Sequence, residues 1–160
     1  MTDPCALSAA ALAAAIRGGA LSAREAVEAS LARIAAAQPA LNPFAFIHAD
    51  KARAAADAAD RAKAQGDPLG PLHGLPVAFK DFTPTEGDVT TRGSVCFEDW
   101  VPAADPIIVR RFRAAGAIVI GKTTTPEFAH SSFTRSPLFG DTLNPWDARR
   151  TSGGSSGGSA

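Results

Sequence analysis

The hydrophobic pattern changes period along the chain. Up to Gln65 the apolar positions recur at helical spacing within alanine-rich stretches. Ser8 stands where it can cap a first short helix that ends at Gly18-Gly19. Ser22 and Glu25 form the S-x-x-E capping-box pattern at the head of a second helix. Val27, Leu31 and Ile34 follow at i, i+4, i+7 as its buried stripe, and Pro39 closes it. Asn42-Pro43 then turns into Phe44–Ile47, an apolar run short enough to be a buried strand. A third helix is predicted from about Asp50 to Gln65, with Gly66 as its stop. Its solvent face offers Arg53/Asp57 and Asp57/Arg61 as i, i+4 pairs.

Beyond Gly66 proline and glycine punctuate shorter apolar runs. Asp67 to Pro71 is a turn-rich connector, and Leu75 to Phe82 is strand-like, with Lys80 and Asp81 at its end. Asp105-Pro106 has the form of an N-cap followed by proline at the first helical position. Ile108, Phe112 and Ala115 give that helix an apolar face, Gly116 ends it, and Ala117 to Ile120 is a short apolar strand. Strand, helix, strand in that order predicts an α/β sheet with helices packed on it. Thr123 to Arg150 reads as a long irregular segment, and a Gly/Ser run from Gly153 follows. No internal repeat is visible.

Composition narrows the function classes. With 160 residues and 46% hydrophobic positions the chain can bury a core, as one domain or as a piece of a larger one. Sixteen basic residues balance sixteen acidic ones, which argues against a nucleic-acid binder. Cys5 and Cys96 are too few and too isolated for a disulfide framework or a CxxC metal site. His48, His73 and His130 lack metal-ligand spacing. The alanine-rich opening is not expected to be a signal peptide, because Asp3 stands in place of a positive flank and Arg17 interrupts the run. The chain reads as a soluble cytoplasmic protein with no membrane partner.

Three motifs carry candidate chemistry. Gly116 to Thr123 satisfies the phosphate-loop pattern G-x-x-x-x-G-K-[ST] letter for letter. A phosphate loop needs successive backbone N–H groups to curl around an anion, whereas Ala117-Ile118-Val119-Ile120 favours a strand, and Pro126 interrupts any long helix after it. A nucleotide binder at 116–123 is therefore the lesser reading. Lys80 follows an apolar strand, where a lysine is either a solvated end-of-strand charge or a group carried into a cleft. In a cleft, desolvation lowers its pKa until it can take a proton. The Gly153 to Ser159 run suits a flexible linker by composition; an anion-binding loop and a loop with chemically active serines are the alternatives.

Together these segments resemble the amidase signature family, the serine hydrolases that use a Ser-Ser-Lys triad. Gly74-Leu75-Pro76-Val77-Ala78-Phe79-Lys80-Asp81 resembles its lysine motif, and Thr91-Arg92-Gly93-Ser94 its downstream T-x-G-S. Gly116 to Thr123 running on into Pro126-Glu127-Phe128 is similar to the family's strand and turn. Asn144-Pro145-Trp146-Asp147, leading to Gly153-Gly154-Ser155-Ser156-Gly157-Gly158-Ser159, resembles its most diagnostic stretch. The likeness covers about residues 70–160; the helical front matches only in general character.

The resemblance implies an α/β fold in which N-terminal helices precede part of a mixed sheet with helices on both faces. Residues 1–65 would be a helical lead-in and 70–160 a partial catalytic core, the N-terminal portion of a stand-alone amidase. It assigns Lys80 as general base and Ser155, held in the family by a cis peptide bond, as the serine that relays a proton from the nucleophile. A hydroxyl is donor and acceptor at once, and Ser-Lys arrangements are a variant of triad logic. No metal or cofactor is implied. The partners implied are a small-molecule amide and, for the full-length protein, compatibility with a homodimer.

The family's attacking serine lies roughly two dozen residues beyond the bridging one, in a second Gly-rich turn that also supplies the oxyanion hole. The sequence stops five residues after Ser155, and Ser94, Ser131, Ser132 and Ser159 do not match the nucleophile's motif. The expectation is that these 160 residues alone do not hydrolyse amides. The alternatives are the amidase component of an aminoacyl-tRNA amidotransferase, which would bring tRNA and partner subunits, and a non-catalytic interaction module. Pro126 before Glu127-Phe128 leans toward the stand-alone enzymes.

Overall fold

The computed structural model describes residues 3–160; Met1 and Thr2, the start of the expected helical lead-in, lie outside the described residues. The chain divides into two compact units, each assembled from separated segments. One takes the chain up to Arg33 with His48–Val77 and Arg110–Ile120; the other takes Ile34–Ile47, Ala78–Val109 and Gly121–Ala160.

Helices α1 (Ala9–Gly18), α2 (Ala23–Leu41) and α3 (Ala49–Gln65) form where the alanine-rich periodicity predicts them. Ser8 Oγ accepts the Ala11 N–H at 3.2 Å, and α1 and α3 end at Gly19 and Gly66 in the left-handed conformation. The capping box closes as expected: the Glu25 carboxylate accepts the Ser22 N–H at 2.8 Å, and Ser22 Oγ accepts the Glu25 N–H at 3.0 Å. A second cap comes from α3, whose Asp60 accepts the Ala23 and Arg24 N–H groups at the start of α2. The first unit's core is apolar. Leu12, Ile16, Ala26 and Leu75 cluster together, and Val27, Leu31, Ala52 and Ala56 are buried as well.

Several expectations need correction here. Pro39 does not close α2, which runs on to Leu41. A proline in the last turn costs a single backbone bond, and the end is made at Asn42, whose N–H reaches the Gln38 carbonyl at 3.0 Å. Nor does Asp57 pair with Arg53 or Arg61 along α3, where the ion pair is Arg53 with Asp50 at 3.5 Å. Arg53 reaches Glu28 at 2.8 Å and Asp57 takes Arg24 at 2.9 Å, so the ion pairs tie α3 to α2.

The strands β1 (Phe44–Ile47), β2 (Pro76–Lys80) and β3 (Ile118–Thr123) form a sheet in the order β1-β3-β2. β1 runs antiparallel to β3, with Phe44 opposite Thr123 and Ile47 opposite Gly121. β2 runs parallel to β3: the Leu75 carbonyl accepts the Ile118 N–H at one end, and the Asp81 N–H reaches the Thr123 carbonyl at the other. The sheet is therefore mixed, in an α/β chain, and all six residues of its central strand are buried. Against the expectation of a buried strand, β1 lies at the sheet edge and is half-buried, with Ile47 exposed. β3 extends three residues past the predicted Ile120 and carries Gly121 and Lys122 inside it.

Helix α4 (Ile107–Ala114) begins after Pro106 rather than at it, and Asp105 accepts the Glu86 N–H. Its buried position is Val109, not Ile108, which is half exposed. The irregular segment after Thr123 contains a short hairpin, β4 (Arg135–Ser136) paired with β5 (Gly140–Asp141). Among the described residues no helix is long and apolar enough to cross a membrane.

Candidate active site

Lys80 is the last residue of β2, and strand alternation sorts its neighbours. Phe79 and Asp81 are buried, and Lys80 is half-buried between them. Its ammonium lies 5.9 Å from the centre of the Phe82 ring, and burial pulls its pKa below the ordinary lysine value. Among the described residues it forms no ion pair.

Around it the chain is fixed by hydrogen bonds to Asp81. The Arg92 N–H donates to the Asp81 carbonyl, and the Asp81 carboxylate accepts both the N–H and the hydroxyl of Thr91. The T-x-G-S motif is thus the clamp on the lysine motif: Thr91 Oγ1 also accepts the Gly93 N–H, and Ser94 Oγ accepts the Cys96 N–H. Arg92 lies among Phe82, Phe97 and Trp100, its guanidinium carbon 4.8 Å from each of the last two rings, and its buried Nε has no hydrogen-bond partner.

The phosphate-loop reading is overturned. Gly121 sits in the sheet so closely that a Cβ there would lie 2.4 Å from the Phe46 carbonyl oxygen. Lys122, in the position of the phosphate-binding lysine, is wholly buried. Its ammonium donates to Thr90 Oγ1 at 2.7 Å and lies 3.4 Å from the buried Asp81 carboxylate. No backbone cradle exists, and its cation faces an acid.

Ser155 follows Gly154 across a cis peptide bond and is exposed. Its loop is not a flexible linker. Thr134 Oγ1 donates to the Gly153 carbonyl at 2.7 Å, the Gly158 N–H reaches the Thr124 carbonyl, and the Thr123 and Ser159 hydroxyls are 2.6 Å apart. Gly157 is required: at φ +67° a Cβ would lie 2.0 Å from the Thr124 carbonyl oxygen. Of the other serines, Ser94 is buried and Ser131 Oγ accepts the Phe133 N–H. Lys80 and Ser155 belong to the same compact unit. A cavity of about 300 Å³ in that unit, lined by Arg135, Arg149, Arg150 and Thr151 among others, includes neither of them.

Among the described residues no group of three or more His, Cys, Asp or Glu side chains could hold a metal ion. His73 instead bonds the Ala59 carbonyl through a ring nitrogen, and both cysteines are free and exposed. Sequence reasoning missed the Asp81–Lys122 pair. The available signal was a lysine two residues past the apolar run Ala117–Ile120, since a charge carried into a buried strand needs a partner.

Comparison with known proteins bears on this arrangement. The amidase family profile matches residues 25–160. A glutamyl-tRNA(Gln) amidotransferase subunit from Acidothermus cellulolyticus is 47% identical over all of this chain, which covers 32% of that protein. Indoleacetamide hydrolase of Bradyrhizobium diazoefficiens is 49% identical over 91% of this chain and 28% of its own length. The crystal structure of native peptide amidase from Stenotrophomonas maltophilia superposes with a TM-score of 0.88 at 34% identity, over 96% of this chain and 33% of that one. The chain therefore spans about a third of the length of the relatives it matches. This chain belongs to the amidase family.

Proposed function

We propose that the protein carrying this segment hydrolyses a carboxylic amide through an acyl-enzyme, with Lys80 as general base and Ser155 as relay. Residues 1–65 serve as helical lead-in and 70–160 as part of the catalytic core. The observation that carries the reading is Lys80 itself: a half-buried lysine with no ion pair among the described residues and a lowered pKa. An alcohol is a poor nucleophile at its own pKa and needs a base within reach. Neutral Lys80 takes the Ser155 hydroxyl proton, while Ser155 takes the proton of the attacking serine. That serine adds to the amide carbonyl. Collapse of the tetrahedral adduct breaks the C–N bond, and the returned proton leaves with ammonia or an amine. Water then cleaves the acyl-enzyme by the same proton route.

The motif of the attacking serine is not among these 160 residues, so the segment alone releases no ammonia. The test is ammonia release from simple amides by the protein at its native length, taken from its source cells. Lys80→Met is expected to reduce the rate by about 10²–10⁴-fold, the usual weight of a general base. An unchanged rate would overturn the assignment.

The transamidase reading has its own support in the amidotransferase relative to which the whole chain is 47% identical. Copurification with partner subunits and tRNA-dependent ammonia transfer would favour it; free turnover of a small amide without partners favours the hydrolase.

A further inference from the structure

The cavity of about 300 Å³ in the second unit takes no part in the proposed chemistry. Its volume is at the small end of the range that holds small-molecule ligands. Three of its lining residues are arginines, Arg135, Arg149 and Arg150, and Asp141 is the acid among them. Arg135 pairs with Asp141 at 2.8 Å, while Asp147 takes both Arg149 at 2.9 Å and Arg150 at 3.2 Å. Three guanidiniums thus meet two carboxylates, and one positive charge is left over. Glu127 lines only an adjoining hollow, which shares Arg135 and Phe133 with this one.

The backbone that carries the arginines is fixed. Arg135 stands on the β4–β5 hairpin. Asn144 Oδ1 accepts the Trp146 and Asp147 N–H groups, its own N–H donates to the Arg150 carbonyl, and the Arg150 N–H donates to the Asp147 carbonyl. Two further lining residues are tied to the Ser155 loop. Thr151 Oγ1 accepts the Thr134 and Gly153 N–H groups, and Thr134 Oγ1 donates to the Gly153 carbonyl.

The bonds to Asp141 and Asp147 engage Nε and Nη2 of Arg135 and Arg149, and Nε alone of Arg150. Each guanidinium keeps further N–H donors, and Arg150 keeps the most. These arginine side chains are at least two-thirds exposed, and pairs so exposed add little stability. What the set offers is a concentration of planar donors, which match a carboxylate or phosphate bidentately.

We propose that this cavity binds the oxyanion, a carboxylate or a phosphate, of a small-molecule ligand, with Arg150 and Arg135 as donors. The excess positive charge attracts the anion, while Asp141 and Asp147 orient the guanidiniums that receive it. The site is separate from Lys80 and Ser155 and does not rest on their proposed roles.

The test is isothermal titration calorimetry of the native-length protein with sodium phosphate and with sodium acetate, at constant ionic strength. Saturable binding of one or both at a single site is expected. Stronger phosphate binding assigns a phosphate group and stronger acetate binding a carboxylate; either supports the site. Arg150→Gln should weaken binding by about tenfold or more, the weight of a hydrogen bond to a charged group. Arg135→Gln, on a separate segment, should weaken it as well. Arg33→Gln, which removes an exposed arginine of the first unit paired with Asp3, should leave it unchanged.

No saturable binding overturns the proposal. So does binding that Arg150→Gln and Arg135→Gln leave intact, or that Arg33→Gln weakens equally, because either result marks general charge and not this cavity. Ammonia release plays no part in the readout, so a failure of the hydrolase reading would leave this result standing.

Discussion

The two units of this chain use charge in opposite ways. In the first, the core is apolar and the ion pairs of Arg24, Glu28, Arg53 and Asp57 are more than a third exposed. In the second, Asp81, Lys122 and eight threonines are buried, and few large apolar side chains accompany them. Exposed pairs are screened by water and contribute little, so they can shift partner at small cost. A buried pair cannot, because removing one member strands the other in a medium that disfavours its charge. The unit that holds Lys80 and Ser155 is thus the one built from polar contacts that fix position, while the helices rely on packing.

The contrast can be broken most forcefully at Lys122. Lys122→Met should lower stability by about 3–5 kcal/mol in urea unfolding, the usual loss on breaking a buried pair. Arg24→Gln in the first unit should barely move the midpoint. Equal effects would erase the distinction. Gly157→Ala comes next. Its positive φ and the Cβ position 2.0 Å from the Thr124 carbonyl oxygen should together cost about 3 kcal/mol. A tolerated alanine would mean that the Ser155 loop is looser than described. Ser8→Ala should cost only about 1 kcal/mol, the ordinary value of an N-cap.

The smallest effect concerns Glu28. Its pKa is lowered to about 2, chiefly by its hydrogen bonds with Arg53, against an ordinary 4.5. A carboxylate with a depressed folded pKa adds stability that is present above the unfolded value and fades as pH falls through the folded one. Between pH 4.5 and about 2 the wild type should therefore lose stability more steeply than Glu28→Gln. Parallel acid limbs would show that the α2–α3 ion pairs carry no net weight.

Legibility differed between the units for the same physical reason. Helix caps and apolar spacing are local, so Ser8, Ser22, Glu25 and Gly66 announced three helices, and Val27, Leu31 and Ile34 their buried stripe. Charges are not local. Arg53 and Asp57 looked like partners on one helix, yet each reaches α2, because nothing in one helix's spacing reports a neighbour's carboxylate. Ile108 read as core and is half exposed, since α4's periodicity cannot say which stripe is covered. In the candidate site Lys80 and Ser155 could be named from motifs. The partner of Lys122 could not be, because Asp81 lies 41 residues earlier, just past the end of a different strand.

The most direct test of the central claim is the pH dependence of ammonia release by the native-length protein with a simple amide. A neutral lysine acting as base makes the rate rise with pH through its own ionisation. Because burial lowers the Lys80 pKa, the midpoint should fall below 10.5, and that ionisation should vanish from the residual rate of Lys80→Met. A rate flat across the alkaline range, or a Lys80→Met enzyme with the same profile and turnover, would contradict the assignment of Lys80 as the base.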